Sequence, residues 1–349
     1  MSAANPERKA GLREAADKSV RRGCAWLKQL IDSRGQIADS DDASLYFKVP
    51  AALMLSGELG YALLNLHWIG RHLVGPDGRL SVPTGPEPRA YDRGWLVWSA
   101  AACGRYDIAF RVATELEASQ CRATGGFWDT RREAAENAGT HHAMSVGFAG
   151  LGLLAAGRVD AARRAGDFLS ELLGRQPLPR ERVELLVHVS RTGQALGRSD
   201  NASDFVDCRG VRQRPARIGP VQILLIRLYR LLGDQRYLRA AQGYTNIFLD
   251  GADGIFDCVE SHKFMWGLLE LAEIDPDPRL PAAADRIAAY ITSRQQPDGQ
   301  WFGDAVGGGK PDQPLDLRLN TTCNAVVGLA YYLHLTAADS HVSVARASA

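Results

Sequence analysis

Two kinds of apolar segment alternate along the chain. Segments such as Ser19 to Ile31, Arg158 to Leu173 and Arg236 to Leu249 set apolar residues three and four apart with charges between them, which describes a helix with one wet face. Segments such as His142 to Gly157, Ile218 to Gly233 and Thr321 to Leu333 are apolar or small on nearly every side. A helix without a polar face has to be enclosed by others. Glycine-centred loops mark the alternation: DSRGQI, GPDGRLS, ATGGFWD, GADGIFD and QPDGQWFGD. Their glycines Gly35, Gly78, Gly126, Gly254 and Gly299 follow one another at steps of 43, 48, 128 and 45 residues. The long step holds one further unit plus an insertion, so the chain contains six units.

Six amphipathic and six enclosed helices describe a closed all-α barrel, an (α/α)6 toroid with an outer and an inner ring. The pattern predicts outer helices at 15–31, 58–74, 105–119, 159–174, 235–249 and 280–295, and inner helices at 42–56, 91–103, 139–156, 217–232, 260–273 and 317–335. Residues 175–216 break the period. There VELLVHVS (Val183 to Ser190) alternates, which predicts a short β hairpin near 181–198 on one rim. Residues 1–14 and 337–349 read as loose ends around a single toroid domain at 15–336.

Gln295, Gly299 and Trp301 form QxxxGxW, and SVRRGCAWLKQLIDSRGQI and CRATGGFWD are degenerate copies of that loop. In these residues the chain resembles the terpenoid cyclase and protein prenyltransferase α/α toroid superfamily, whose squalene and hopene cyclases carry the motif as QW. The resemblance implies a helix-stapling role for the motif. It also gives Asp39, Ser40, Asp41 and Asp42 a meaning, because they match DxDD, whose middle acid protonates an isoprenoid double bond or epoxide in class II cyclases. That reading makes Asp41 the acid. The DDxxD motif of class I synthases is absent, so ionisation of a diphosphate with magnesium is not expected. Toroid relatives that act on sugars, among them epimerases, glycoside hydrolases and polysaccharide lyases, share the same shape.

Composition narrows the partners. The chain has 41 Lys plus Arg against 40 Asp plus Glu, a net charge of +1, too small to draw a polyanion, so no nucleic-acid partner is expected. Its best apolar run, Val221 to Leu232, is broken by Arg227 and Arg230, so no membrane span is expected. Six scattered cysteines and no apolar leader point to reduced thiols in the cytoplasm. The expected partner is a small-molecule substrate, with a second copy of the chain as a candidate. No cofactor is implied, and Cys258 with His262 is only half of a zinc site, so no metal is assigned.

In a toroid the outer-to-inner loops fall on one rim, together with the first turns of the inner helices, and reactive groups are expected there. The candidates for catalysis are Asp39, Asp41, Asp42, His141, His142, Asp257 and His262. Three carboxylates in four residues either cap the following helix or hold one proton by mutual repulsion. Of His141 and His142 only one can face a cavity, as a lining residue or as a general base. Candidates for substrate binding are Tyr46, Lys48, Tyr91, Trp95, Trp98, Trp128, Asn137, Arg214, Trp266 and Asn320, a polar mouth with an aromatic wall. Such a wall serves a carbocation or a sugar ring. The leading expectation is acid-initiated cyclisation or isomerisation of a largely apolar, isoprenoid-like natural-product substrate, with Asp41 as acid and His141 or His142 as final base. Sugar chemistry is the alternative, and a non-catalytic binding toroid is the third reading.

Overall fold

The computed structural model describes residues 6–38, 40, 42, 45–81, 87–136, 139–176, 182–184, 186–189, 205–305 and 312–347. Outer and inner helices alternate through α1 (Pro6–Gln29), α2 (Val49–Leu55), α3 (Leu59–His72), α4 (Ala90–Ala102) and α5 (Tyr106–Ala118). A short helix, α6 (Arg131–Glu136), decorates the next loop. The alternation then continues with α7 (Ala143–Ala155), α8 (Val159–Gly174), α9 (Gly219–Leu232), α10 (Gln235–Leu249), α11 (His262–Ala272), α12 (Arg279–Ser293) and α13 (Leu315–Ala347). The inner helices pack in the cycle α2, α4, α7, α9, α11, α13 and back to α2, while α1 lies against α13 and α12. This is the (α/α)6 toroid. Burial follows the sequence pattern: α7 is enclosed along most of its length, whereas α8 buries one stripe from Ala161 to Leu172. Among the described residues no helix is long and apolar enough to cross a membrane, and all six cysteines are free thiols.

Several boundaries differ from expectation. Helix α1 already begins at Pro6, ahead of residue 15, and α13 runs to Ala347, beyond residue 336. Helix α2 begins only at Val49, because Pro50 occupies its first turn, where a missing N–H costs nothing. Its N-cap is Lys48, with no side-chain cap bond. Asp42 therefore stands six residues ahead of the α2 N-cap and does not cap α2; Asp39 and Asp41 lie outside the described residues.

The insertion is β in character, as the alternation required, but its strands pair at a distance. β1 (Gly139–His142) runs antiparallel to β3 (Leu186–Val189), and β2 (Arg182–Glu184) runs antiparallel to β4 (Phe205–Asp207). The expected hairpin near 181–198 is thus two pairings that tie the insertion to the loops before α7 and α9. Residues 190–204 lie outside the described residues.

The repeat glycines explain how the ring is stapled. Gly78 has φ +81°, and a Cβ there would stand 2.0 Å from the Arg111 carbonyl oxygen on α5; Gly299, at φ +101°, would meet the Arg22 carbonyl of α1 at 2.4 Å. The loops of Gly35 and Gly125 press in the same way on α3 and α8, and only glycine permits both the φ and the approach, whereas Gly254 keeps the positive φ without such a contact. In the third loop Gly125, not Gly126, takes this conformation. The QW residues complete the contact. Gln295 Nε2 donates to Ser19 O at 2.8 Å and to Gly299 O at 2.9 Å, while the buried Trp301 donates to Ile291 O at 2.8 Å. The last unit is thereby bonded to the first.

Candidate active site

All six outer-to-inner connections lie on one rim, with the first turns of the inner helices converging at its mouth. Lys48, just before α2, and Lys263, in the first turn of α11, place their amines 4.8 Å and 5.2 Å from the centre of the same Tyr91 ring. Lys48 also lies 6.0 Å from the Trp95 ring and hydrogen-bonds the Asn320 side-chain oxygen, on α13. Beside Lys263, His262 is only 2% exposed. Its Nδ1 donates to Val259 O at 3.0 Å, so Nε2 carries the lone pair, buried and without a hydrogen-bond partner. Two amines and an imidazole are buried close enough to lower one another's basicity.

An acidic side faces them. At the start of α4, Asp92 accepts from the Arg89 backbone N–H at 3.1 Å and pairs with its guanidinium at 3.5 Å. Asp129, on the loop before α7, is held through its backbone oxygen by Arg93 at 3.3 Å; its carboxylate meets the Ser145 hydroxyl, and Oδ1 is buried without a partner. Arg93 is itself fixed by two 2.9 Å bonds to Glu115.

Burial sets the protonation of these groups. It lowers Lys48 to about 8, a charge-desolvation cost that Asp92 only partly offsets. Lys263 falls well below the ordinary lysine value, through burial and then the repulsion of Lys48. Burial raises Asp129 to about 6 despite the nearby Arg89, and it keeps His262 neutral, well below the usual histidine value. Residue choice agrees with this. Of 41 basic side chains 35 are arginine and six are lysine, and two of those six stand here. Arginine never loses its proton in a protein, whereas a buried lysine can.

Of the residues expected from sequence, Lys48, Tyr91, Trp95, Asn320 and His262 meet at this mouth. Others do not. His141 is a staple: Nδ1 donates to Phe127 O at 2.8 Å, Nε2 accepts from Thr124 at 3.0 Å, and burial lowers it to about 4. His142 accepts from Met144 N at 3.3 Å as the N-cap of α7. Asp257 is drawn outward into a bidentate pair with Arg286 of α12, both bonds 2.9 Å. Trp128 is buried against His141, with ring centres 4.3 Å apart. Tyr46 pins the acidic loop, donating to Ser40 O at 2.5 Å and accepting from Ile37 N at 2.9 Å. Arg214 is exposed before the 3-10 turn Pro215–Arg217, Asn137 lies outside the described residues, and the Cys258 thiol donates to Gln213 O at 2.8 Å. Trp98 and Trp266 stand deeper, 5.5 Å apart, with Trp266 stacked on Tyr331 at 3.9 Å.

No family model matches the chain, and no curated protein does. Several solved structures share the fold. An inactive variant of the alpha-1,6-mannanase GH76A of Salegentibacter sp. HEL1_6, bound to alpha-1,6-mannotriose, matches with TM-score 0.66 and 12% identity over 92% of this chain and 99% of that one. The type II terpene cyclase MstE from Scytonema, bound to geranylgeranyl dihydroxybenzoate, matches with TM-score 0.62 and 12% identity, covering 93% and 99%. A D-mannose isomerase matches with TM-score 0.67 and 10% identity, covering 92% and 97%. At these identities the likeness is one of fold. The toroid expected from the QW loop is met at that level, and the chemistry rests on the residues at the mouth.

Proposed function

We propose that this toroid is an enzyme that moves a proton on a small, polar, carbonyl-bearing substrate, an isomerase or epimerase of a sugar-like molecule. One observation carries the reading: Asp129, raised to about 6, and Lys48, lowered to about 8, bracket neutral pH and share the neighbours Arg89 and Asp92. An acid and a base poised in this way are what proton transfer next to a carbonyl needs. Asp129 takes the proton from carbon, and the Lys48 ammonium supplies one to the carbonyl oxygen. The developing oxyanion meets Arg89 and the positive ends of the inner helices. The fold's occurrence in a mannanase and a mannose isomerase supports a polar occupant.

Turnover should rise with pH as Asp129 ionises near 6 and fall as Lys48 loses its proton near 8. The check is to incubate the protein with a panel of aldoses and ketoses in deuterated buffer and follow deuterium uptake beside the carbonyl across that range. A bell between the two values supports the reading.

Acid-initiated cyclisation is the second reading, favoured by the aromatic wall in which Trp95 stacks on Phe148 at 3.9 Å above Trp98, Trp266 and Tyr331. The two lysines weigh against it. A protonated amine repels a carbocation and a neutral one captures it. Conversion of a polyprenyl phenol to a cyclised product, without deuterium uptake into sugars, would establish cyclisation instead.

A further inference from the structure

Lys48 and Lys263 share an aromatic neighbour but differ in how they are held. Lys48 is bonded to Asn320. Lys263 is 4% exposed, and its amine makes no hydrogen bond or ion pair among the described residues; the Tyr91 ring lies at 5.2 Å, and the charges of Lys48, Glu260, Arg89 and Asp92 act on it from further away. Its backbone is fixed. A Cβ on Gly219, the first residue of α9, would stand 2.3 Å from the Lys263 carbonyl carbon, so the two inner helices touch at this point. A long flexible side chain left unbonded on a rigid helix start, beside a second cation, is unfavourable for an ammonium ion and suited to a nucleophilic amine.

We propose that Lys263 is a covalent centre whose amine forms an imine with the substrate carbonyl. The inference rests on the reading that the substrate carries a carbonyl. The nitrogen lone pair attacks the carbonyl carbon, and the π pair moves to oxygen, which takes the proton of the Lys48 ammonium. Of the two nitrogen protons one then leaves with the oxygen as water and the other returns to the Lys48 amine, so amine and carbonyl become imine and water. Lys48 has two parts to play. Its charge keeps the neighbouring amine unprotonated before attack, and its proton is delivered after it. The imine nitrogen, once protonated, acidifies the adjacent C–H for Asp129.

Reductive trapping tests this with a probe that need not be the natural substrate. The intact protein is treated with D-glyceraldehyde and cyanoborohydride at neutral pH, and each lysine's labelling rate is read by peptide mass spectrometry. Lys263 should be labelled at least about tenfold faster than Lys9, Lys18, Lys28 or Lys310, since only the unprotonated amine adds. Lys48→Met should slow labelling of Lys263 by at least about tenfold, one unit of proton affinity, while Lys48→Arg, which keeps the charge but gives up no proton, should slow it less. Lys263 labelled no faster than the other four lysines, or Lys48 labelled in its place, overturns the imine. If a variant fails to fold, the wild-type rates still decide. Deuterium uptake into sugars without trapping at Lys263 leaves proton transfer standing and removes the imine. Trapping at Lys263 without deuterium uptake keeps the covalent centre and removes the isomerase reading.

Discussion

Replacing Glu270 by alanine is expected to destabilise the fold by about 2 to 4 kcal/mol. Glu270, on α11 with a side chain 4% exposed, accepts from Trp266 Nε1 at 2.6 Å and pairs with Arg227 of α9 at 2.8 Å and Arg230 at 3.8 Å. Arg227 in turn lies 5.2 Å from the Trp266 ring centre. One carboxylate thus joins α9 and α11 near the rim opposite the mouth and fixes the tryptophan that stacks on Tyr331. Without it the Arg227 guanidinium loses its counter-charge in a largely enclosed place, and the Trp266 N–H loses its acceptor. Glu270→Gln, which can still accept from tryptophan, should cost about half as much. Glu273 pairs with Arg230 at 2.5 Å, but both are exposed, so Glu273→Ala should fall within about 0.5 kcal/mol of wild type. Urea unfolding of the three variants checks the order. Equal losses for Glu270→Ala and Glu273→Ala would contradict it.

Asp129→Asn should lower turnover by about 10² to 10⁴ while leaving KM near its original value, because a general base acts mainly in the transition state. Stability should hold or rise. The native carboxylate is partly enclosed with Oδ1 unbonded, so neutralising it removes a buried charge, and the asparagine oxygen can still accept from Ser145. The acid limb of the pH profile should disappear along with the activity. Steady-state kinetics beside a thermal melt separate the two effects. Turnover within about tenfold of wild type would take the base role away from Asp129.

The fold was legible because enclosure leaves a compositional trace. Helices without a polar face alternate with amphipathic ones, so the bounds of α8 and α10 follow from the pattern alone. Local chemistry moved the others: Pro50 delays α2, and Thr140 to His142 enter a strand with the insertion in place of a first helical turn. At the site, the rule that inner-helix first turns face the mouth found Lys48, Tyr91, Trp95 and Asn320. It also gathered His141 and Asp257, whose partners Phe127, Thr124 and Arg286 come from distant parts of the chain that spacing cannot reveal. Lys263 escaped notice since a lone lysine in FDCVESHKF reads as a solvated charge. Asp129 closes the third glycine loop, but nothing in CRATGGFWD says that its carboxylate is enclosed. Only the scarcity of lysine, six residues against 35 arginines, could have drawn attention to a chain that buries two of them.

The rim amines can be titrated without knowing the substrate. With six lysines in the chain, each ammonium can be followed by NMR after carbon labelling at lysine Cε and assigned by Lys48→Arg and Lys263→Arg. Lys48 should titrate at about 8 and Lys263 well below the ordinary lysine value. If Lys48 and Lys263 instead lose their protons in the ordinary lysine range of about 10.4, the mouth is an ordinary charged surface and not an acid–base centre.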